Sequence, residues 1–305
     1  MINSDTIIER KYLRKKLSFW RTITIIIIAI AVLSSIGNVA GSKISGFGKK
    51  YIARITIDDV IDRDTEREEL LRELADDKNA VAVILTLNSP GGSAVGGETL
   101  YKSIKELNSK KPVVTVMDSI ATSAAYLAPM GTRQIFAQQG TITGSIGVIM
   151  QMPNVKELTD KLGVKFDFIK TSPLKGSPIP FEDRNPEALA VLDKMVQDFY
   201  KYFIAVVATE RKLPPEEVIK LANGSVYSGA EAHKLKLVDQ IGGEPEAIKW
   251  LIENEKLAKN IKVEDYDLKK PETPFENFAG ALTGLKNLSL VPASMKLKGM
   301  VSIWQ

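Results

Sequence analysis

The sequence predicts an α/β domain in which strands alternate with helices around a sheet covered on its faces. Three observations predict it. Short β-branched runs such as Val81-Ala82-Val83-Ile84-Leu85-Thr86-Leu87 and Val113-Val114-Thr115-Val116-Met117 read as buried strands, charged helical stretches separate them, and Asn88-Ser89-Pro90-Gly91-Gly92-Ser93 ends the first run sharply. At 305 residues, 44% apolar and 26% charged, the chain suffices for one sizeable core or two modest ones. Its formal charge of +4 is small and dispersed, which argues against a nucleic-acid partner.

The charge is concentrated only in residues 1–21, where Arg10, Lys11, Arg14, Lys15, Lys16 and Arg21 precede an uncharged stretch from Thr22 to Ser42. About 20 apolar residues cross a bilayer as a helix, so residues 22–42 are expected to form one transmembrane signal anchor; a cleaved secretory signal is the alternative. Either way, positive charge before the segment keeps the N-terminus cytoplasmic and sends the rest of the chain to the extracytoplasmic or periplasmic side of the inner or plasma membrane.

The remaining elements follow in order. Tyr51 to Ile57 alternates like a strand, Thr65 to Asp77 is charged and helical, Val81–Leu87 is a strand, and a helix runs to about Leu107. Val113–Met117 is the next strand. Gln134 to Ala137 and Ile146 to Met150 are read as short strands, Asn154 to Leu162 as a helix and Lys165 to Ile169 as a strand entering a proline-rich loop. Apolar positions recur at helical spacing from Pro186 to Arg211, and Pro214-Pro215-Glu216-Glu217 opens another helix with proline at an allowed early position. Residues 265–305, interrupted by Pro271, Pro274 and Pro292, are expected to form a tail with an amphipathic apolar spacing from Phe278 to Leu290.

Three constellations carry chemistry. Gly91-Gly92 frees the backbone so that N–H groups face a ligand, as an oxyanion hole requires, although Pro-Gly-Gly alone is a turn. Ser123 stands among small residues in Asp118-Ser119-Ile120-Ala121-Thr122-Ser123-Ala124-Ala125-Tyr126, which lets it begin a helix with an exposed hydroxyl and nearby backbone donors; the plain alternative is an N-cap serine. A serine nucleophile needs a base, and the chain holds no cysteine and one histidine, His233, read as a partly exposed helix residue. The base therefore falls to a lysine whose surroundings lower its pKa. Lys170 and Lys175, in Ile169-Lys170-Thr171-Ser172-Pro173-Leu174-Lys175-Gly176-Ser177-Pro178, are the candidates. Ser172 and Lys175 also have the spacing seen in penicillin-binding proteins, but the companion Ser-Asp-Asn and Lys-Thr-Gly motifs are missing. A lone histidine offers no metal site, and no cofactor is expected.

Read together, Asn88-Ser89-Pro90-Gly91-Gly92, Ala121-Thr122-Ser123-Ala124-Ala125-Tyr126, Ile142-Thr143-Gly144-Ser145-Ile146-Gly147, Ile169-Lys170 through Lys175 to Ser177-Pro178, and Leu237-Val238-Asp239-Gln240-Ile241-Gly242-Gly243 resemble the signal peptide peptidase A (protease IV) family of membrane-anchored Ser-Lys peptidases. The resemblance implies a Clp-protease/crotonase-like ββα spiral over residues 51–264 behind one N-terminal transmembrane helix. It makes Ser123 the nucleophile, Lys175 the general base and Lys170 structural. Backbone N–H groups of Gly91 or Gly92 and of Ala124 form the oxyanion hole, and the Ser145 hydroxyl lies near the lysine.

The substrates so implied are peptides, either remnant signal peptides or other membrane-associated polypeptides, and the assembly is a homo-oligomeric ring or dome. This chain departs from the family in having Ala124-Ala125 where Gly-Gly is common and Gly176 where an acid often follows the lysine. Two other classes share the fold. A crotonase-type acyl-CoA enzyme is disfavoured by an exported domain, and a catalytically silent membrane scaffold by the presence of both Ser123 and Lys175.

Overall fold

The computed structural model describes residues 20–21, 23–25, 49–268 and 301–303. Residues 1–49 and 50–305 are two separate units. In the first, Trp20, Arg21 and residues 23–25 are helical. Most of the expected anchor lies outside the described residues, among which no helix is long and apolar enough to cross a membrane.

The second unit contains, in order, β1 (Tyr51–Ile57), α1 (Thr65–Asp76), β2 (Ala80–Ser89), β3 (Gly91–Ser93), α2 (Ala94–Lys110), β4 (Val113–Thr122), α3 (Ala124–Leu127), β5 (Gln134–Ala137), β6 (Ile142–Gly144), α4 (Lys156–Lys161), α5 (Pro186–Arg211), α6 (Pro215–Leu221), β7 (Val226–Ser228), α7 (Gly229–Lys234), β8 (Gln240–Ile241), α8 (Glu244–Asn254), β9 (Lys262–Asp265) and β10 (Val301–Ile303). The main sheet runs β7-β6-β4-β2-β1-β9, with β5 also on β4 and β8 on β5. Its pairings are parallel except for β6 with β7. The expected α/β architecture is therefore present.

The unbroken apolar run of β2 has a simple cause. Side chains alternate between faces, so Val83, Leu85 and Leu87 enter the larger core with Leu71, Leu100, Ile104 and Phe203, whereas Ala82 and Ile84 meet Ala247 and Leu251 of α8 on the other side. Each fully buried aliphatic side chain of this kind contributes about 1.5–3 kcal/mol. Helix ends are closed by side chains. Asp64 accepts from Arg67 N at 3.0 Å to start α1, and Asn185 accepts from Glu187 N at 2.9 Å to start α5. Buried Lys111 ends α1 by donating from Nζ to Leu74 O and Asp77 O, both at 2.6 Å. Desolvation lowers the pKa of that ammonium.

The structure departs most from the sequence reading between residues 146 and 177. Neither Ile146–Met150 nor Lys165–Ile169 forms a strand, and the helix expected over Asn154–Leu162 is the shorter α4. Most of residues 153–177 are exposed, including Leu162, Val164, Phe166 and Phe168. A β-like pattern makes a strand only where a neighbouring edge accepts its hydrogen bonds. This arm is held instead by stacking of Phe166 on Phe181 with ring centroids 4.0 Å apart. At the other end, β9 pairs with β1, and Leu268 is buried in the core.

Candidate active site

β4 is longer than either β5 or β6, and that is what brings Ser123 into position. Its first half, Val114–Met117, pairs with β5, and Ile120–Thr122 switches to β6. Ser123 follows at the N-cap of α3 with φ 56 and ψ −118, a conformation that costs a non-glycine residue of order 1–3 kcal/mol and marks turns that project a side chain. It occupies the N-cap position, but its side chain makes no cap hydrogen bond to the helix. Ser123 is only 1% exposed, which corrects the expectation of an exposed hydroxyl.

The surrounding backbone holds that strained turn. Ser123 N donates to Gly144 O at 2.9 Å, and Thr143 Oγ1 donates to Ala121 O at 2.8 Å. Gly144 has φ +85, and a Cβ there would lie 2.6 Å from Tyr227 Cδ2, so only glycine fits. Thr122 Oγ1 donates to Pro90 O at 2.9 Å, tying the serine turn to the double-glycine turn.

The double glycine resolves into two roles. Gly91, at φ 109, donates its N–H to Ser89 Oγ at 3.2 Å and accepts from Ile61 N at 2.8 Å. Ser93 N donates to Ile61 O at 2.9 Å, so this edge of β3 is taken by Ile61. Successive residues of a strand direct their polar groups to opposite edges, which leaves those of Gly92 for the outer edge. There β10 pairs antiparallel, with Ser302 opposite Gly92. A Cβ on Gly92 would lie 1.8 Å from Ile61 O, so no other residue permits this approach.

Ala124 and Ala125, the departures from Gly-Gly, put their methyl groups into the core. Both are buried, and Ala124 faces Gly97 of α2, where an added Cβ would come within 2.9 Å of Ala124 Cβ. A glycine inside α2 thus makes room for the alanine next to the serine. Gly97, Thr122 and Thr143 were not singled out from sequence. The readable signal was Gly96-Gly97 inside a helix, a pair that costs about 1 kcal/mol per residue and calls for a packing reason.

Ser145 follows Gly144, the residue whose carbonyl accepts from Ser123 N, and the two lysines stand on the segment between α4 and α5. Ser145 is partly buried at φ 50, with its N–H donating to Ser225 O at 2.8 Å. Lys170 Nζ pairs with Glu182 Oε2 at 2.7 Å and lies over the Phe168 ring, in keeping with a structural role. Lys175 stands on a turn, with its N–H donating to Ser172 O at 3.1 Å, and its side chain is exposed. In the single chain Lys175 is therefore open to solvent. His233 is exposed on α7.

The model of peptidase family S49 matches residues 105–258, a span containing β4, Ser123, Gly144 and Lys175. A Synechocystis sp. protein named as a protease is 36% identical over 204 residues, covering 66% of this chain and 73% of its own. Serine protease SPPA, chloroplastic, of Arabidopsis thaliana is 30% identical over 238 residues, covering 76% of this chain and 34% of its own. Among solved structures, a ClpP1 mutant from Listeria monocytogenes aligns with TM-score 0.44 at 15% identity, over 64% of this chain and 94% of that one. The chain belongs to peptidase family S49, as a protease of the serine type.

Proposed function

We propose that the chain is a membrane-anchored endopeptidase that cleaves by a Ser123–Lys175 dyad. The observation that carries this reading is the backbone of Ser123, held at positive φ between Gly144 and, through Thr122, the Gly91-Gly92 turn. Neutral Lys175 accepts the Ser123 hydroxyl proton as Oγ bonds to the peptide carbonyl carbon. The carbonyl oxygen takes the negative charge and receives hydrogen bonds from Gly92 N–H and Ala124 N–H. As the tetrahedral intermediate collapses, the C–N bond breaks and the amine leaves with the proton from Lys175. Water then attacks the ester, delivering a proton through Lys175 to Ser123 Oγ and releasing the acid.

The substrate lies extended and antiparallel on the outer edge of β3. Support comes from β10, which uses that edge with Ser302 opposite Gly92. The exposed arm between α4 and α5 packs against a second copy of the chain, and this contact desolvates Lys175. Support is the exposure of Leu162, Val164, Phe166, Phe168 and Ile169 on the arm that carries the lysine. The uncharged stretch 22–42 behind a basic N-terminus anchors the enzyme, with the catalytic domain outside the cytoplasm and remnant signal peptides or other membrane-associated polypeptides as substrates.

The test is labelling with a fluorophosphonate, followed by peptide mapping. Ser123 is the expected adduct site, and Ser123→Ala and Lys175→Ala each lose at least about 10³-fold in peptide turnover while staying folded. Labelling at Ser145 or Ser172, or near-normal turnover by Lys175→Ala, would sink the dyad.

A further inference from the structure

α3 is a helix of one turn, closed by Tyr126 N and Leu127 N donating to Ser123 O at 2.8 and 2.9 Å. So short a helix cannot fix its own orientation, because a single turn gains too few hydrogen bonds to offset the ordering of its backbone. Its direction must come from tertiary contacts, and one of them is polar. Tyr126 is wholly buried, and its Oη donates to Leu237 O at 2.9 Å.

Leu237 lies on a turn fixed from two further elements. Arg211, at the end of α5, donates from Nε to Lys236 O at 2.9 Å and from Nη1 and Nη2 to Asp239 at 3.0 and 2.6 Å. Asp239 also accepts from Ile135 N of β5 at 2.8 Å and donates its own N–H to Ile135 O at 2.9 Å. The carbonyl that receives the phenol is therefore a fixed point attached to both the sheet and the longest helix.

We propose that Tyr126 is a positioning residue for acyl transfer at Ser123: its bond to Leu237 O sets the rotation of α3 and with it the directions of Ser123 Oγ and Ala124 N–H. The inference rests on Ser123 being the nucleophile. A phenol three residues from the serine acts through one helical turn, so a small rotation there moves the reacting atom, and misplacement by about 1 Å can cost about 10²-fold in rate.

Tyr126→Phe keeps the ring and removes only the hydroxyl. The matched control is Tyr200→Phe, since Tyr200 Oη also donates to a main-chain carbonyl, Ala222 O, at 2.6 Å, but from α5. Fluorophosphonate acylation rate, kcat, KM and thermal midpoint are measured for both. Tyr126→Phe is expected to lower kcat and the acylation rate about tenfold or more with KM changed less than about twofold, and Tyr200→Phe to lower neither rate more than about twofold. Asp239→Asn, which weakens the grip of Arg211 on the same turn, is expected to give a smaller loss of kcat in the same direction. Equal kinetics in Tyr126→Phe and Tyr200→Phe overturns the positioning role while leaving the nucleophile intact. Adduct formation away from Ser123 in the unsubstituted chain overturns the nucleophile reading, and this inference with it.

Discussion

Thr122 Oγ1 donates to Pro90 O at 2.9 Å, joining the residue before the serine to the residue before the double glycine. The two turns come from different strands, and this bond keeps the backbone of Gly92, the proposed oxyanion donor, in register with Ser123. Thr122→Val preserves shape and removes the donor. It is expected to lower kcat about tenfold with little change in KM, read from steady-state kinetics on a peptide substrate; equal loss in both parameters would deny a role in alignment.

Gly97 and Ala124 fit only as a small–small pair. Gly97→Ala brings two methyl carbons to 2.9 Å, so overpacking is expected to cost about 1–3 kcal/mol and to depress activity beyond what the lost stability explains. Ala124→Gly in the same chain removes the clash. A double-mutant cycle by urea unfolding and turnover should therefore show strong coupling, and additive effects would mean that the two positions do not sense each other.

Ile169 is fully exposed on the arm that carries Lys175. Ile169→Asp leaves the isolated domain unaffected, because nothing there is packed on this side chain. If a second copy covers the arm, the substitution lowers both the assembled fraction in sedimentation and the specific activity, in parallel. An unchanged sedimentation profile and turnover would remove the arm from the mechanism.

β10 holds the edge of β3 that the proposed substrate uses. A chain ending at residue 300 is expected to bind peptide more tightly, seen as KM lowered severalfold with kcat little changed, since the competing strand is gone. An unchanged KM would show that the strand does not compete.

Tyr51 Oη donates to Asp77 Oδ2 at 2.7 Å. Burial pushes the Tyr51 phenol up, and the Asp77 carboxylate adds to the shift. For Asp77, burial acts upward, but the bonds from Tyr51 and Asn79 N outweigh it and the pKa falls below the usual carboxylate range. A lowered carboxylate contributes stability above its unfolded value, near 4, and loses it as pH falls through the folded value. A raised phenol contributes stability below its unfolded value, near 10, and loses it as pH rises through the folded one. Tyr51→Phe is therefore expected to cost about 1 kcal/mol from about pH 5 to 9, with the difference shrinking at both extremes in urea titrations. A cost independent of pH would remove the titrating pair.

Much of the domain was legible because its signals are local. The helix Pro186–Arg211 appears with the bounds its apolar spacing predicts, and β2 and the first half of β4 coincide with β-branched runs that are buried on both faces. Lys165–Ile169 misled because alternation records what a residue run is able to bury, while a strand also needs an edge to pair with. Ser123 stands out in the sequence by its small neighbours, and the shortage of histidine directs its proposed base to lysine. Gly97, Thr122 and Thr143 escaped because their work is done on residues distant in sequence.

The sequence by itself determined the α/β class, the family, the serine and the lysine to test, since residue types and their order suffice for these. Only the tertiary structure decided which glycine presents its polar groups to the outer edge of β3, where the methyl groups of Ala124 and Ala125 go, and that Lys175 is exposed in the single chain. Each of these depends on where one backbone passes another, on Ile61 beside Gly92 or Gly97 beneath Ala124, and such approaches are set by packing between segments that the order of residues does not itself encode locally.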